Sequence, residues 1–185
     1  NLTLEEGDFV TVIGGNGAGK STTLNAVAGV WPIDSGKIYI GGDDVTKLSE
    51  HKRAKYLGRV FQDPMTGTAT TMSIEENMAI AARRGEKRGL SWGITHQERD
   101  TYRELLKTLD LGLEDRLTSK VGLLSGGQRQ AITLLMASIK KPKLLLLDEH
   151  TAALDPKTAA KVLEISDKII SENHLTAMMV THNMK

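Results

Sequence analysis

A glycine-rich octapeptide, Gly14–Ser21, constrains the fold of this 185-residue chain more than any other feature. It fits the pattern G-x-x-x-x-G-K-S, in which residues without side chains let successive backbone N–H groups turn inward around a phosphate. The apolar, β-branched run Phe9–Ile13 precedes it, and Lys20–Val30 carries apolar residues at helical spacing after it. The order predicts strand, phosphate turn and helix. The alternative is a glycine-rich turn whose polar side chains are merely solvated.

Each part of the octapeptide has a use in holding the phosphates of a nucleotide. Bulk at Gly17 or Gly19 would block the close approach of backbone to phosphate. The following helix adds roughly half a positive charge at its start, and the ammonium group of Lys20 can reach the β and γ phosphates. Ser21 offers a hydroxyl oxygen to Mg²⁺. The nucleotide-binding residues predicted here are Gly14, Asn16, Gly17, Ala18, Gly19, Lys20, Ser21 and Thr22.

A second constraint is the pair of acids that follows the run Leu144–Leu147. This run is continuously apolar, as is typical of a strand covered on both faces, so Asp148 should emerge where the strand leaves the sheet. A hard divalent cation needs oxygen ligands, and Asp148 is therefore expected to hold Mg²⁺ directly or through water. Glu149, one residue on, points elsewhere. The alternative is a pair of surface acids after a core strand.

The run Leu124–Gln128 reads LSGGQ and opens a helix. An ordinary cap at Ser125 with a permissive turn would account for it. Yet two glycines beside a serine hydroxyl also make a second anion-binding helix start, and one ATP molecule does not need two such starts from a single chain.

The remaining elements alternate between strand and helix patterns. Short strands are expected at Lys37–Ile40, at Gly58–Phe61 before Gln62, and at Thr176–Thr181 before His182; helices are expected from the capping box of Ser73 and Glu76 to about Arg84, around Tyr102–Leu109, and from Pro156 to about Ser171. This order predicts an α/β fold with a parallel sheet, flanking helices and a helical insertion.

Composition excludes several classes of function. The 24 basic and 23 acidic side chains give a net charge of +1, so a strongly basic nucleic-acid face is not indicated. Cysteine is absent, which rules out disulfides and cysteine metal sites in this sequence. Its apolar runs are too short for a membrane-spanning helix. A membrane would have to be reached through a partner.

The octapeptide, the LSGGQ run and the Asp148–Glu149 pair, in this order, resemble the ATP-binding cassette (ABC) ATPases. The resemblance implies a P-loop NTPase: a mostly parallel sheet core flanked by helices, with a small antiparallel β part and a helical insertion carrying the signature LSGGQ. It implies one ABC ATPase domain over 1–185, with a catalytic core at 1–63 and 141–185, a helical subdomain at about 64–140, and both ends incomplete.

The resemblance also implies roles for individual residues. Glu149 would act as general base, His182 would touch the γ-phosphate, and Gln62 would contact Mg²⁺ or the attacking water. The implied metal ligands are Ser21, Gln62 and Asp148. A second subunit would contribute Ser125, Gly126, Gly127, Gln128 and Asp155 in trans. The alternative for Asp155 is a helix cap before Pro156, and both can be true.

The function implied is the Mg²⁺-dependent ATPase subunit of an ABC membrane transporter, with an importer favoured because neither end shows a fused membrane span. Its partners would be a second copy or a related ATPase subunit in a head-to-tail dimer, permease subunits and a solute-binding protein, but no nucleic acid. It would lie on the cytoplasmic face of the cell membrane. Gln62–Met72 and Arg83–Gly93 are candidates for docking the permease, the second having a solvated loop as its alternative.

Two other functions stay open at this point. A soluble, non-transport ABC ATPase would act in DNA repair or on ribosomes. A nucleotide-dependent binding module would dimerise without turnover. The chain also departs from the family at His150, where proline is frequent, and at Met136, where arginine is frequent; these departures suggest a subfamily.

Overall fold

The computed structural model describes residues 1–15, 17–86 and 93–181. The strands are β1 (Phe9–Ile13), β2 (Tyr39–Ile40), β3 (Asp43–Asp44), β4 (Leu57–Val60), β5 (Leu144–Asp148) and β6 (Ala177–Thr181). Four of them form a parallel sheet in the order β1-β6-β5-β4, and a separate antiparallel pair joins β2 and β3. The predicted parallel core and small antiparallel part are thereby confirmed.

The helices lie between these strands. They are α1 (Lys20–Ala28), α2 (Glu50–Arg53), α3 (Ile74–Ala82), α4 (His96–Lys107), α5 (Gly126–Ser138) and α6 (Pro156–Asn173), with a 3₁₀ turn at Val121–Leu123. Three of them, α3 to α5, follow one another between β4 and β5, so this stretch is an insertion between two adjacent strands. Within the described ranges, no helix is long and apolar enough to cross a membrane.

Strand β5 lies at the centre of the packing. Leu145, Leu146 and Leu147 are fully buried, as the apolar run predicts. Leu145 and Leu147 belong to a core shared with α3 to α6, whereas Leu146 belongs to a smaller core beneath α1. Because alternate side chains point to opposite faces, one strand supplies both cores and carries its last residue, Asp148, to the sheet edge.

Several boundaries differ from the sequence expectation: β2 begins at Tyr39 and not at Lys37, and α4 begins at His96, before the region expected around Tyr102–Leu109. Helix α1 ends at Ala28, two residues early, because Gly29 adopts a φ of +82° and terminates it. On α6, the apolar Leu163 is 42% exposed. Ile165 and Ser166 are buried on that helix instead. The polar Ser166 was not expected there.

The far end of α1 is fastened by a buried arginine. Arg53 is 2% exposed, and its guanidinium donates only to backbone oxygens in the bonds that the structure describes: those of Ala26, Val27, Thr46 and Leu48. Burial lowers the pKa of Arg53. A Cβ at Gly29 would lie 2.8 Å from its Nε. The end of α1 is thus held in place, which fixes the direction in which the helix start points.

Candidate active site

The four parallel strands bring the sequence motifs to one edge of the sheet. Since carboxyl ends of parallel strands share an edge, the octapeptide after β1, Gln62 after β4, Glu149 after β5 and the end of β6 at Thr181 all lie on the same side. His182, which follows Thr181 in the sequence, lies outside the described residues, as does Asn16.

The octapeptide forms a turn whose conformation demands glycine. Gly17 and Gly19 have φ values of +80° and +84°. Apart from the adjacent residues in the chain, no described protein atom lies within 4 Å of a Cβ built at either position, so backbone conformation and not crowding requires glycine. Lys20 is 7% exposed, and its Nζ donates to the carbonyls of Gly14 (2.7 Å) and Gly15 (3.0 Å). The ammonium group therefore lies against the turn.

Helix α1 begins without a side-chain cap. Its N-cap is Gly19, and its first turn contains no acidic residue. Ser21 and Thr22 are exposed beside it. The first N–H groups of the helix and its partial positive charge are therefore presented without an acceptor from the cap residue.

Asp148 is paired with an arginine that sequence reasoning missed. Arg59 of β4 lies with one terminal nitrogen 3.4 Å from Asp148 Oδ2 and 2.8 Å from Asn25 Oδ1 on α1. Its guanidinium also stacks 4.6 Å from the ring centre of Phe61. Both charged side chains are about 15% exposed, and Arg59 Nε is buried with no partner among the described residues. A cation therefore borders the carboxylate assigned to the metal.

The donors available at this edge suit Mg²⁺. The described residues contain no cluster of three or more acidic or histidine side chains that could hold a metal ion. The predicted ligands Ser21, Gln62 and Asp148 offer a hydroxyl, an amide and a carboxylate, all of them oxygen donors. Mg²⁺ commonly binds through one or two such groups and takes water and phosphate oxygens for the rest. The set fits that cation.

Glu149 has an unusual backbone. Its φ is +45°, which is uncommon for any residue other than glycine. Its N–H donates to the Val180 carbonyl (3.0 Å), and its carbonyl accepts from the N–H of Ala152 (2.9 Å). The chain therefore turns sharply at Glu149, directly after Asp148.

The residue after Glu149 is buried. His150 is 2% exposed, and its Nε2 lies 2.9 Å from Ser166 Oγ on α6. Burial lowers the pKa of His150 to about 4, so the ring is neutral near pH 7. The sequence marked His150 only as a departure from the family pattern and did not indicate this contact.

Ser125 caps helix α5 through a complete capping box. Its Oγ accepts from the N–H of Gln128, and Gln128 Oε1 accepts from the N–H of Ser125, both at 3.2 Å. The cap expected as the ordinary alternative is therefore present. Ser125 is nevertheless exposed, and its hydroxyl proton can still be donated while the oxygen accepts.

The two signature glycines serve packing within the chain. A Cβ at Gly127 would lie 2.1 Å from Thr158 Cγ2, and one at Gly126 would lie 3.2 Å from Leu154 Cδ2. Their small size lets the start of α5 lie against the segment that follows Glu149. Sequence reasoning linked these glycines to an anion and missed the contact with Thr158.

Asp155 is the N-cap of α6. Its Oδ1 accepts from the N–H of Thr158 (3.1 Å), with Pro156 in the first turn. Hydrogen bonds from Thr158 lower the pKa of Asp155. The capping role expected as one alternative is present, and a role across a dimer interface stays a prediction.

Helix α5 is also tied to the chain around Gln62. Gln130 is fully buried, and its Nε2 donates to the Phe61 carbonyl (2.9 Å). Arg129 donates to the carbonyls of the turn before the helix and contacts Met65 Sδ. Gln62 itself is exposed. Neither contact was predicted from the sequence.

Comparisons with known proteins agree with this arrangement. The family model described as ABC transporter matches residues 1–152. This chain belongs to the ABC transporter family. A tyrosine transport ATP-binding protein of Clostridioides difficile (strain R20291) is 45% identical over 185 residues, which is 100% of this chain and 73% of the relative. The methionine import ATP-binding protein MetN of Rhizobium johnstonii (strain DSM 114642 / LMG 32736 / 3841) is 35% identical, covering 100% of this chain and 49% of that one.

Solved structures give the same result for this ABC protein. The dimeric structure of a bacterial ABC transporter cassette has a TM-score of 0.80 at 31% identity, covering 100% of this chain and 78% of that one. A post-hydrolysis dimer of the same cassette, bound to ADP and Pi, matches equally well. The predicted family, fold, ATPase activity and transporter class are thereby confirmed: the chain is an ATP-binding and ATP-hydrolysing subunit.

Proposed function

We propose that this ABC subunit energises a membrane importer as a head-to-tail dimer in which each ATP is held by the phosphate turn of one chain and the signature of the other. The observation that carries the proposal is the shared sheet edge, which supports a single site built from the ends of β1, β4, β5 and β6. The solved dimers of a related cassette support the dimeric state.

The nucleotide is bound from below by the octapeptide. The N–H groups of Gly14 to Gly19, Asn16 among them, and the uncapped start of α1 hold the phosphates, with Lys20 placed to neutralise them. Thr22 and Ser21 follow on the exposed first turn. Ser21, Gln62 and Asp148 would hold Mg²⁺, which would supply charge to offset that of the phosphates.

Hydrolysis depends on Glu149 as general base. Its carboxylate, at the sharp turn that follows Asp148, accepts a proton from the attacking water. Gln62 orients that water, and His182 donates to the γ-phosphate. Loss of the base typically lowers the rate by about a hundredfold to ten-thousandfold.

The signature closes the site from the second chain. Ser125 donates its hydroxyl proton to the γ-phosphate while its oxygen accepts from Gln128, and Gly126 and Gly127 bring the backbone close. Gln128 completes the capping box without a negative charge, which leaves the helix start attractive to an anion. Asp155 lies at the neighbouring helix start and contacts the opposite chain.

Coupling to the membrane runs through the helical segment 64–140, with the rest of 1–185 as catalytic core. Exposed apolar side chains on it, Met65, Ile80 and Leu123 at 49%, 49% and 73%, support docking of a permease loop, beginning at Gln62–Met72. In the other candidate, Arg83–Gly93, Arg83 pairs with Glu98 and Arg84 donates to the Ala137 carbonyl, while residues 87–92 lie outside the described ranges.

The subunit then sits peripherally on the cytoplasmic face of the membrane, held by permease subunits that receive solute from a binding protein. Relatives named for the transport of tyrosine and the import of methionine support import, and amino acids are the solutes to test first.

The deciding experiment compares phosphate release and ATP-driven dimerisation in the parent and in Glu149→Gln. The parent should turn over and form a transient dimer. The variant should bind ATP, form a lasting dimer and lose at least about a hundredfold in rate. Undiminished turnover in the variant would remove Glu149 from the mechanism, and an inactive parent that dimerises on ATP would favour a binding module.

A further inference from the structure

We propose that the hydrogen bond between His150 and Ser166 is a latch that holds Glu149 in its catalytic conformation, which makes His150 and Ser166 positioning residues. The inference rests on the proposed role of Glu149 as general base. It is carried by the contact between the ring and the hydroxyl, the burial of both side chains and the backbone of Glu149.

The backbone at Glu149 needs support from its surroundings. A left-handed conformation costs a residue with a side chain about 1–2 kcal/mol, so it persists only where neighbouring contacts impose it. Two backbone hydrogen bonds, to Val180 and from Ala152, impose the turn from either side. Neither of them reaches the helix that follows, so the loop between β5 and α6 needs another attachment to keep its course.

His150 provides that attachment. It directly follows Glu149, is 2% exposed, and contacts Ser166, which is 4% exposed within α6. At the far end of the same loop, Asp155 caps the first turn of α6. Hydrogen bonds at both ends of the loop therefore hold it to α6, and Glu149 directly precedes the first of the two residues that make them.

The direction of this hydrogen bond follows from its neighbours. Ser166 Oγ donates its proton to the Val162 carbonyl at 2.7 Å, so it must accept from the ring. The donor is the Nε2–H of His150, and its proton is assigned from this network. Replacing the ring by an apolar one of similar size would keep the packing and remove the donor.

A matched pair of serines on α6 separates the latch from simple helix stability. Ser166 and Ser171 both donate to the carbonyl four residues earlier, at 2.7 Å in each case, but Ser171 is exposed and does not contact His150. Ser166→Ala should lower kcat for phosphate release about tenfold to a hundredfold, because a small misplacement of a catalytic group has effects of this size. KM for ATP and nucleotide binding should not change, and Ser171→Ala should match the parent.

A second pair of variants keeps the test decisive if Ser166→Ala folds poorly. His150→Phe retains bulk without a donor, and His150→Gln places an amide donor near the Nε2 position. His150→Phe should lose kcat as Ser166→Ala does, and His150→Gln should recover to within about threefold of the parent, since a side-chain amide can donate the same bond. Rates are expressed per nucleotide-binding site on the full chain, so that loss of folded protein does not count.

Glu149→Gln distinguishes failure of the latch from failure of the proposed function. In that background, Ser166→Ala should cause no further loss, because the two act through the same carboxylate. If Glu149→Gln is inactive while Ser166→Ala and His150→Phe keep the parental kcat, the latch is wrong and the proposed base stands. If Glu149→Gln stays active, the proposed base is wrong. Loss of kcat in His150→Gln equal to that in His150→Phe would also overturn the latch.

Discussion

The starts of helices α1 and α5 are built in opposite ways. Helix α1 begins at Gly19, which offers no side chain, and its first N–H groups face the phosphate turn. Helix α5 begins at Ser125, where a capping box with Gln128 already engages two backbone N–H groups. Both first turns lack an acidic residue, so both helix starts favour an anion.

The difference in capping indicates how many backbone N–H groups each helix start can offer to a phosphate. The start of α1 can bind a phosphate with its own backbone, and the start of α5 has fewer N–H groups to offer and must act through the Ser125 hydroxyl. Helices α3 and α4 sharpen the contrast, because their boxes use the carboxylates of Glu76 and Glu98. Of the three capping boxes described, the one with a neutral amide is in the signature.

The largest effect should come from one variant that disables the start of α1, a second that disables the start of α5, and a mixture of the two variant chains. Lys20→Ala and Ser125→Arg should each lose most of their activity, since the first removes the phosphate cation and the second fills the opposing face. A mixture should recover at most about a quarter of the parental rate, because half of the dimers are mixed and each has one intact site. Phosphate release after subunit exchange measures this.

If each site were contained in a single chain, mixing the two inactive variants would recover no activity. Recovery well above a quarter would equally contradict the shared site. Lys161→Ala, which removes only a surface pair with Glu164, is the control and should behave as the parent.

The next effect concerns charge in the cap of α5. Gln128→Glu preserves the box but adds a negative charge that repels the γ-phosphate, so ATP-driven dimerisation and turnover should fall about tenfold to a hundredfold. Thermal stability should stay the same or rise, because a carboxylate suits a helix start. Sedimentation with ATP and a thermal melt measure the two quantities.

Glu76→Gln at α3 is the reciprocal control for this charge. It should lower thermal stability slightly, because the charged acceptor at the helix start is lost, and it should leave turnover unchanged. Unchanged dimerisation in Gln128→Glu would mean that the start of α5 does not face an anion.

A smaller effect is expected at Gly127. Gly127→Ala should destabilise the fold by about 1–3 kcal/mol, because its methyl group would overlap that of Thr158. Adding Thr158→Ser removes the second methyl and should restore part of the stability, as measured by urea unfolding. A double variant that is stable and active would make Gly127 a packing residue only, and a stable but inactive one would assign it to the nucleotide as well.

The smallest effect is a difference in acid sensitivity between the caps. Hydrogen bonds from the backbone of Ser73 and Thr95 lower the pKa of Glu76 and Glu98, so their stabilisation is complete above the ordinary value of 4.5 and is lost as pH falls through the lowered value. Gln128 does not titrate. Hydrogen exchange should therefore show α3 and α4 fraying in acid before α5, and equal fraying in all three would contradict this.

Local patterns predicted much of this molecule. The apolar runs predicted the bounds of β1, β5 and β6 to within about one residue. The caps at Ser73, Ser125 and Asp155 could also be predicted, because each side chain bonds the backbone of a residue three positions away. Their partners lie within one turn. Such signals need no knowledge of the fold.

Contacts between distant segments were not predictable in this way. Arg59 meets Asp148 across 89 positions, and Gln130 meets Phe61 across 69. Both pairings exist only because the sheet places β4 beside β5 and α5 on β4. The burial of His150 likewise depends on the packing of α6, whose Ser166 Oγ lies 2.9 Å from its ring. The residues next to His150 in the sequence do not indicate that its side chain is buried.

Helix α5 is attached to β4 at two levels. A Cβ at Gly58 would lie 2.4 Å from the Ala137 carbonyl, and Gln130 holds the Phe61 carbonyl half a helix away. These two contacts lie about 10 Å apart along the helix axis, so α5 touches the chain around β4 at two separate points. We therefore expect Ser125 at the start of α5 and Gln62 beyond the end of β4 to move together as parts of one rigid unit.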